Sequence, residues 1–241
     1  MGHDRQDIHT SGIPVLCRSC EARHRGMCGV LDENELVTLA RHTHKAHHAP
    51  GAELIGESVP TAAYANVMKG VVKLTKGLED GRRQVVGLQF APDFLGRLFG
   101  AHSAVAAEAA SEVELCVVPR AALEQMIAET PALEHRLMQQ TLRELDEARD
   151  WMVTLGRKSA AEKLASFLLL VALHTDPERE EGAPIRFDLP LSRGDIADFL
   201  GLTIETVSRQ FTALKTSGVI ELTGLRTVEI LSLDRLRARA G

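Results

Sequence analysis

The sequence predicts an α+β chain with an N-terminal antiparallel β-roll, a long dimerisation helix and a C-terminal winged helix-turn-helix. Three observations carry this. Short β-branched runs broken by glycine fill the region from about Ala49 to Val118. A helical pattern then runs from Pro131 without further proline or glycine until Gly156. From Leu191 to Phe211, two short helical patterns are joined through Gly201.

At 241 residues, 44% hydrophobic and 25% charged, the chain has material for two ordinary domains and their cores. Its longest strongly apolar stretch, Phe167 to Leu173, is far short of the roughly 20 residues that span a bilayer. The N-terminus, with Asp4 and Asp7, has no secretory core, so a cytoplasmic protein without a membrane partner is expected. A net charge of −5 argues against coating nucleic acid through bulk charge. Any DNA binding must come from a focused surface.

Residues 1–29 read as a cysteine-rich sensor arm, 30–130 as the β-roll, 131–156 as the dimerisation helix and 157–241 as the winged helix-turn-helix. The arm has no helical or strand period and is rich in glycine, so its order needs an outside organiser. After it, Asp32 caps a short helix from Leu31 to Arg41. In the roll, Ala65–Leu74 reads as one strand, Glu79–Arg82 as a tight turn and Arg83–Leu88 as the returning strand, with Val113–Val118 another.

On the long helix, Met138, Thr141, Leu145, Ala148, Met152 and Leu155 follow alternating steps of three and four, the seam of a coiled coil. This predicts a homodimer. Leu137, Leu142 and Trp151 lie off the seam and are expected to pack on the β domain. The seam is weak, because Thr141 and Ala148 bury little, and a weak seam can be switched. A second helix is expected from Lys158 to about His174, followed by a polar loop from Asp176 to Pro184.

In the C-terminal motif, Ser192 with Asp195 makes a capping box, Ile196, Ala197 and Leu200 face inward, and Thr203 caps the next helix. Ile204, Val207, Phe211 and Leu214 form that helix's buried face, while Glu205, Ser208 and Arg209 share another. An arginine can give two hydrogen bonds to guanine, a carboxylate can accept from cytosine, and a serine can serve a base or a phosphate. Double-stranded DNA is therefore the expected partner. Residues 219–222 and 227–230 around Gly224 read as a β wing. Residues 157–241 carry twelve basic and twelve acidic side chains, so binding away from the right sequence should be poor.

Cys17, Cys20 and Cys28 fall within twelve residues, and Cys116 stands alone. Four thiolates suit either zinc or an iron–sulfur cluster, and spacing alone leaves both open. Arg18, Arg23 and Arg25 are expected to lower thiolate pKa values. Two other patterns carry less. Gly156-Arg157-Lys158-Ser159 echoes a phosphate-binding loop, but Trp151 stands where that loop needs glycine. His42, His44, His47 and His48 read as a solvated helix end rather than a heme or metal site.

With these motifs the chain resembles the cyclic-AMP-receptor-protein/FNR superfamily of bacterial transcription regulators, and within it the FNR-type oxygen sensors. The resemblance spans nearly the whole chain and implies a cyclic-nucleotide-binding-like roll. It implies that Cys17, Cys20, Cys28 and Cys116 bind an oxygen-labile [4Fe-4S] cluster, the Cys-x2-Cys-x7-Cys spacing being that of α-proteobacterial members. Glu205, Ser208 and Arg209 match the family's Glu-x-x-Ser-Arg reading motif, which implies a TTGAT-N4-ATCAA operator. It also implies contact with RNA polymerase, assigned to the hairpin tip from Glu79 to Arg83. Cyclic-nucleotide-binding relatives have a glutamate after the cassette glycine and an arginine shortly after. Here the runs are Phe94-Leu95-Gly96-Arg97 and Ala104 to Ala110, so no cyclic nucleotide is expected. A regulator of anaerobic and microaerobic genes, and not an enzyme, is the expectation; a zinc- or thiol-switched regulator with the same DNA-binding half is the alternative.

Overall fold

The computed structural model describes residues 13–18, 20–175 and 184–241. The arm ahead of residue 13, Ser19, and the predicted polar loop up to Ala183 lie outside the described residues. The chain forms two compact units, Met1–Val72 with Gln89–Arg143, and Lys73–Leu88 with Glu144–Gly241. Among the described residues no helix is long and apolar enough to cross a membrane.

The arm was expected to lack regular structure but folds as three single turns: α1 (Val15–Arg18), α2 (Glu21–His24) and a 3-10 turn over Met27–Val30. Each is too short to leave a period in the sequence. The turns close through backbone bonds around the cysteines, with the Cys17 N–H donating to the Pro14 carbonyl at 2.8 Å and the Arg23 N–H to the Cys20 carbonyl at 3.0 Å. In α3 (Glu33–Ala40), Asp32 forms the anticipated cap: its carboxylate accepts from the Glu35 N–H, and Glu35 accepts from the Asp32 N–H, both at 2.8 Å.

The histidine run, expected at a helix end, is instead strand β1 (His44–His48) at a sheet edge. None of its five residues is fully buried, so no apolar alternation marks it as a strand in the sequence. The strands that follow are β2 (Glu53–Ile55), β3 (Ala63–Lys69), β4 (Val71–Gly77), β5 (Arg83–Phe90), β6 (Phe94–Leu95), β7 (Ala106–Ala109) and β8 (Val113–Pro119). They form two four-stranded sheets, ordered β1-β8-β3-β6 and β2-β7-β4-β5, giving the predicted roll. The single strand expected over Ala65–Leu74 is two, β3 and β4. They break at Gly70, whose φ is +85° and where a Cβ would fall 2.0 Å from the Glu112 carbonyl oxygen.

In the first sheet β8 pairs antiparallel with both β1 and β3: Cys116 sits opposite Lys45 on one side and Asn66 on the other, and Tyr64 sits opposite Val118. Helices α4 (Arg120–Glu129) and α5 (Pro131–Arg157) follow. Tyr64 and Val118 share an apolar cluster with Met27 and Cys28 of the arm and Leu133 and Leu137 of α5. The arm therefore packs on the face of the sheet that carries Tyr64 and Val118.

The second unit holds α6 (Ala160–Thr175), β9 (Ile185–Asp188), α7 (Arg193–Leu200), α8 (Ile204–Thr216), β10 (Ile220–Thr223), β11 (Thr227–Ile230) and α9 (Leu233–Ala240). Strands β10 and β11 turn at Gly224 as anticipated, and β9, too short to stand out in the sequence, pairs with β11. The turn of the Lys73–Leu88 segment closes with the Leu78 N–H donating to the Arg82 carbonyl at 2.8 Å, around Gly81 at φ +85°.

Candidate functional site

Two sets of side chains carry chemistry, one in each unit. The first is built on the arm. Turn geometry puts Cys17 at the end of α1, Cys20 immediately before α2 and Cys28 in the 3-10 turn, while strand alternation puts Cys116 on the face of β8 shared with Val118. Cys20 and Cys28 are buried, Cys17 and Cys116 half-buried, and all four are free thiols.

The four lie within electrostatic range of one another. Burial pushes the Cys28 thiol far up, and the neighbouring Cys116, Cys20 and Cys17 add to it. Burial likewise pushes Cys116 up to about 11, with Cys20 and Cys17 adding and Thr43 and Lys45 opposing. For Cys17, burial and then Cys20 raise the thiol pKa, and Arg23 lowers it without prevailing. The expectation that the arginines would depress these thiols is thus corrected. Arg18 donates instead to the Ile13 carbonyl at 3.3 Å, and burial dominates. Among the described residues, no three histidine, cysteine or carboxylate side chains close on a single metal ion.

Two buried polar groups on this face lack hydrogen-bond partners among the described residues: both side-chain atoms of Asn66, and Nη1 of Arg23. Asn66 is 1% exposed and directly opposite Cys116. Each unmade bond of this kind costs about 1–3 kcal/mol. Asn66 had a sequence signal, a polar residue inside the apolar run Tyr64 to Val67, which was not singled out. Arg136 on α5 was also missed. It donates through Nε to the Gly26 carbonyl at 3.2 Å and through Nη2 to the Arg25 carbonyl. That ties the base of α5 to the turn before Cys28.

The seam follows directly on α5. Met138 is 54% exposed, Leu145 44% and Met152 72%, with Thr141 and Ala148 also exposed and Leu155 half-buried. The stripe does not pack on its own core. Of the residues expected to pack on the β domain, Leu137 is buried, but Leu142 is 54% exposed and extends the apolar stripe. Trp151 packs not on the roll but on Phe199 of α7, with ring centroids 4.4 Å apart.

The second site is α8. Ser192 and Asp195 form the predicted capping box of α7, Gly201 is left-handed at φ 61°, and Thr203 caps α8 by accepting from the Thr206 N–H. Ile196, Ala197, Leu200, Val207, Phe211 and Leu214 are buried as expected, and Phe199 joins them. Ile204, the first residue of α8, is 51% exposed instead of buried. Glu205, Ser208 and Arg209 all face solvent. The Glu205 carboxyl is held below its usual range by its own backbone N–H, then by Thr203, with Arg209 nearby. Thr206, not anticipated, accepts from Arg209 Nη2 at 3.1 Å and steadies the guanidinium. The exposed face therefore offers an acceptor, a hydroxyl and a two-pronged donor on one projecting helix, the layout for reading base edges in a major groove.

In the roll, Gly96 has φ +132°, and a Cβ there would meet Tyr64 Cδ1 at 2.7 Å, so ring packing accounts for the glycine. The Tyr64 hydroxyl donates to Glu124 at 2.9 Å.

Comparison with known proteins places this architecture. Residues 162–239 match the Crp-like helix-turn-helix domain, and residues 45–130 match the cyclic nucleotide-binding domain. A probable transcriptional activator from Rhizobium leguminosarum bv. viciae is 50% identical over 96% of both chains. The transcriptional activator protein FnrL of Cereibacter sphaeroides is 42% identical over 95% of this chain and 94% of its own. Among solved structures, FixK2 from Bradyrhizobium japonicum superposes with a TM-score of 0.74 at 33% identity, covering 83% of this chain and 98% of that one. With likeness of that extent to regulators at both ends of the molecule, the chain belongs to the Crp/FNR superfamily of DNA-binding transcription regulators and is not an enzyme.

Proposed function

We propose that this regulator responds to oxygen through a [4Fe-4S] cluster held by Cys17, Cys20, Cys28 and Cys116. The observation that carries the reading is the set of four mutually interacting thiols, joining the arm to strand β8. Four thiolates suit a zinc ion as well as an iron–sulfur cluster; the resemblance to FNR-type regulators favours the cluster. Burial and mutual repulsion oppose bare thiolates there, which favours a cationic partner for them. When bound, such a cluster supplies a tie among four thiolates that oxygen can undo.

The remaining steps belong to the chain. An ordered arm presents the Arg25 and Gly26 carbonyls to Arg136 and buries Met27 in one apolar cluster with Leu133 and Leu137. This fixes the turns of α5 that lead into Met138, and the exposed stripe from Met138 to Leu155 then pairs with a second copy. Pairing sets two copies of α8 about 34 Å apart, one turn of DNA. Arg209, Ser208 and Glu205 read each TTGAT half-site of a TTGAT-N4-ATCAA operator. With the arm loose, the marginal seam opens and DNA is released, a shift of an equilibrium a few kcal/mol deep. Parts of the roll, the Glu79–Arg83 tip among them, touch RNA polymerase. The run Ala104 to Ala110 holds no arginine to supply a counter-charge to a cyclic nucleotide's phosphate, and Arg97 stands after Gly96 where cyclic-nucleotide-binding relatives have a glutamate, so a cyclic nucleotide is not the effector.

The test is operator binding by anaerobically prepared protein before and after air, with the Cys28→Ser and Cys116→Ser variants beside it. Air should abolish binding by the wild type, and both variants should bind weakly under either gas. Equal binding in air and nitrogen would overturn the reading.

A further inference from the structure

Asn66 is buried to 1% exposure within a sheet, yet neither its Nδ2 nor its Oδ1 has a hydrogen-bond partner among the described residues. Buried amides are seldom left so, and an orphan of this kind points to a missing partner. Its position says where that partner sits. Directly opposed residues of an antiparallel pair project to the same face. Asn66 is opposed to Cys116, and Tyr64, two residues before it, is opposed to Val118. Tyr64 and Val118 pack in one cluster with Cys28, so the Asn66 carboxamide belongs to the face that carries the thiols. Helix α2, which runs between Cys20 and Cys28, lies against β3. Its Arg23 leaves Nη1 as a second buried orphan donor. One unused donor lies opposite Cys116 and the other belongs to an arginine whose charge reaches Cys17, a surface prepared for an acceptor.

We propose that Asn66 is a positioning and tuning residue of the cluster site: its Nδ2–H donates to a sulfur of the bound iron–sulfur centre, either the Cys116 thiolate or an inorganic sulfide. The inference rests on the cluster reading above. A hydrogen bond to sulfur withdraws electron density from the iron core, and such bonds raise the reduction potential. It also holds the Cys116 side of the site in place, as outer-shell partners of metal ligands do. Asn66 is thus silent in the empty protein, where it is only an unsatisfied amide, and active in the loaded one.

The experiment compares wild type, Asn66→Leu and Asn66→Thr, full length, reconstituted anaerobically and with iron and sulfide counted. Leucine matches the shape of asparagine and removes the donor; threonine suits a strand and keeps one. Three quantities are measured: midpoint potential, the rate of iron release to a ferrous chelator, and thermal unfolding of the metal-free protein. The Leu variant should load fully, show a lower potential and release iron about tenfold faster. Metal-free, it should unfold at a higher temperature than wild type, since a buried orphan amide is gone. The Thr variant should stay within about twofold of wild type in release rate.

The opposite signs in loaded and empty protein separate tuning from a plain packing role, which would lower stability in both. A Leu variant that loads and matches wild type in potential and release overturns the inference while leaving the cluster reading intact. So does a Thr variant that behaves like Leu. A wild type that takes up no cluster overturns the cluster reading, and the inference with it.

Discussion

Arg136, on the second turn of α5, donates through Nε to the carbonyl of Gly26 at 3.2 Å. Gly26 lies two residues before Cys28, and Arg136 two residues before Met138, where the exposed stripe begins. The same guanidinium also takes the Arg25 carbonyl. One side chain therefore links the turn before Cys28 to the start of the exposed stripe on α5, and Met27, Leu133 and Leu137 share one apolar cluster.

Removing that span should separate sensing from pairing. In Arg136→Leu, iron content per chain stays at the wild-type level, while the anaerobic dimer dissociates about tenfold more readily. That corresponds to about 1.4 kcal/mol, the low side for hydrogen bonds made by a charged group. Sedimentation equilibrium under nitrogen checks it. A variant that dimerises like wild type contradicts the coupling.

The seam itself is tested by Leu145→Glu. Leu145 is 44% exposed in the single chain, so burying the rest of it in a dimer gains under half of the about 1.5–3 kcal/mol of full burial. A buried, unpaired carboxylate costs more than that gain. The variant should be monomeric under nitrogen, keep its cluster and lose operator binding. Dimers of wild-type stability would mean that α5 pairs through another face.

At the reading helix, Arg209→Ala should cost about 1–3 kcal/mol of discrimination at the guanine of the half-site and relax specificity there. Affinity for unrelated DNA should change little. Thr206→Val, which removes the acceptor at 3.1 Å from Arg209, should produce a smaller loss of the same kind. Fluorescence anisotropy with TTGAT and single-base variants measures both. A uniform loss across all sequences would assign Arg209 to phosphate instead.

Much of this was legible in the sequence because it rests on local rules. The capping boxes at Asp32 and Ser192, the left-handed Gly201 and the apolar spacing of Val207, Phe211 and Leu214 are each specified by a few neighbouring residues. What escaped was specified by distant ones. The single turns around Cys17 and Cys28 have too few residues to carry a period. Strand β1 has only histidine, lysine and alanine, and draws its order from pairing with β8. Leu142 and Trp151 looked alike on the helix, yet one faces solvent and the other meets Phe199, a difference set by tertiary packing. The weight of Asn66 and of Arg23 Nη1 comes from burial without a hydrogen-bond partner among the described residues, which tertiary packing sets and no local pattern shows.

Within the second unit, Lys73 Nζ donates to Asp195 Oδ1 at 2.7 Å, with the lysine 5% and the aspartate 17% exposed. Burial pushes the Asp195 carboxyl up, but hydrogen bonds from Lys73 and Ser192, with the charge of Lys73, outweigh it and hold the carboxyl below its ordinary value of 3.8. A carboxyl depressed in the folded state adds stability that is fully present above its unfolded pKa and lost as pH falls through the folded one. Stability of this unit should therefore drop on acidification below about pH 4. Lys73→Met should remove most of that dependence and cost toward the lower end of about 3–5 kcal/mol, because Ser192 still bonds Asp195. Urea unfolding followed by Trp151 fluorescence at pH 7 and across the acid range is the check. An unchanged acid slope would contradict it.

The central claim is that four thiols of one arm and one strand hold an iron–sulfur cluster. Its most direct test is the visible spectrum of protein purified without oxygen, with iron and acid-labile sulfide counted, followed through stepwise addition of air. The account predicts about four irons and about four sulfides per chain and a broad band near roughly 400 nm that changes within minutes. Ser substitution at any of Cys17, Cys20, Cys28 or Cys116 should abolish that band. Colourless protein that carries zinc or no metal, from cells able to build clusters, would contradict the account and leave only the DNA-binding half standing.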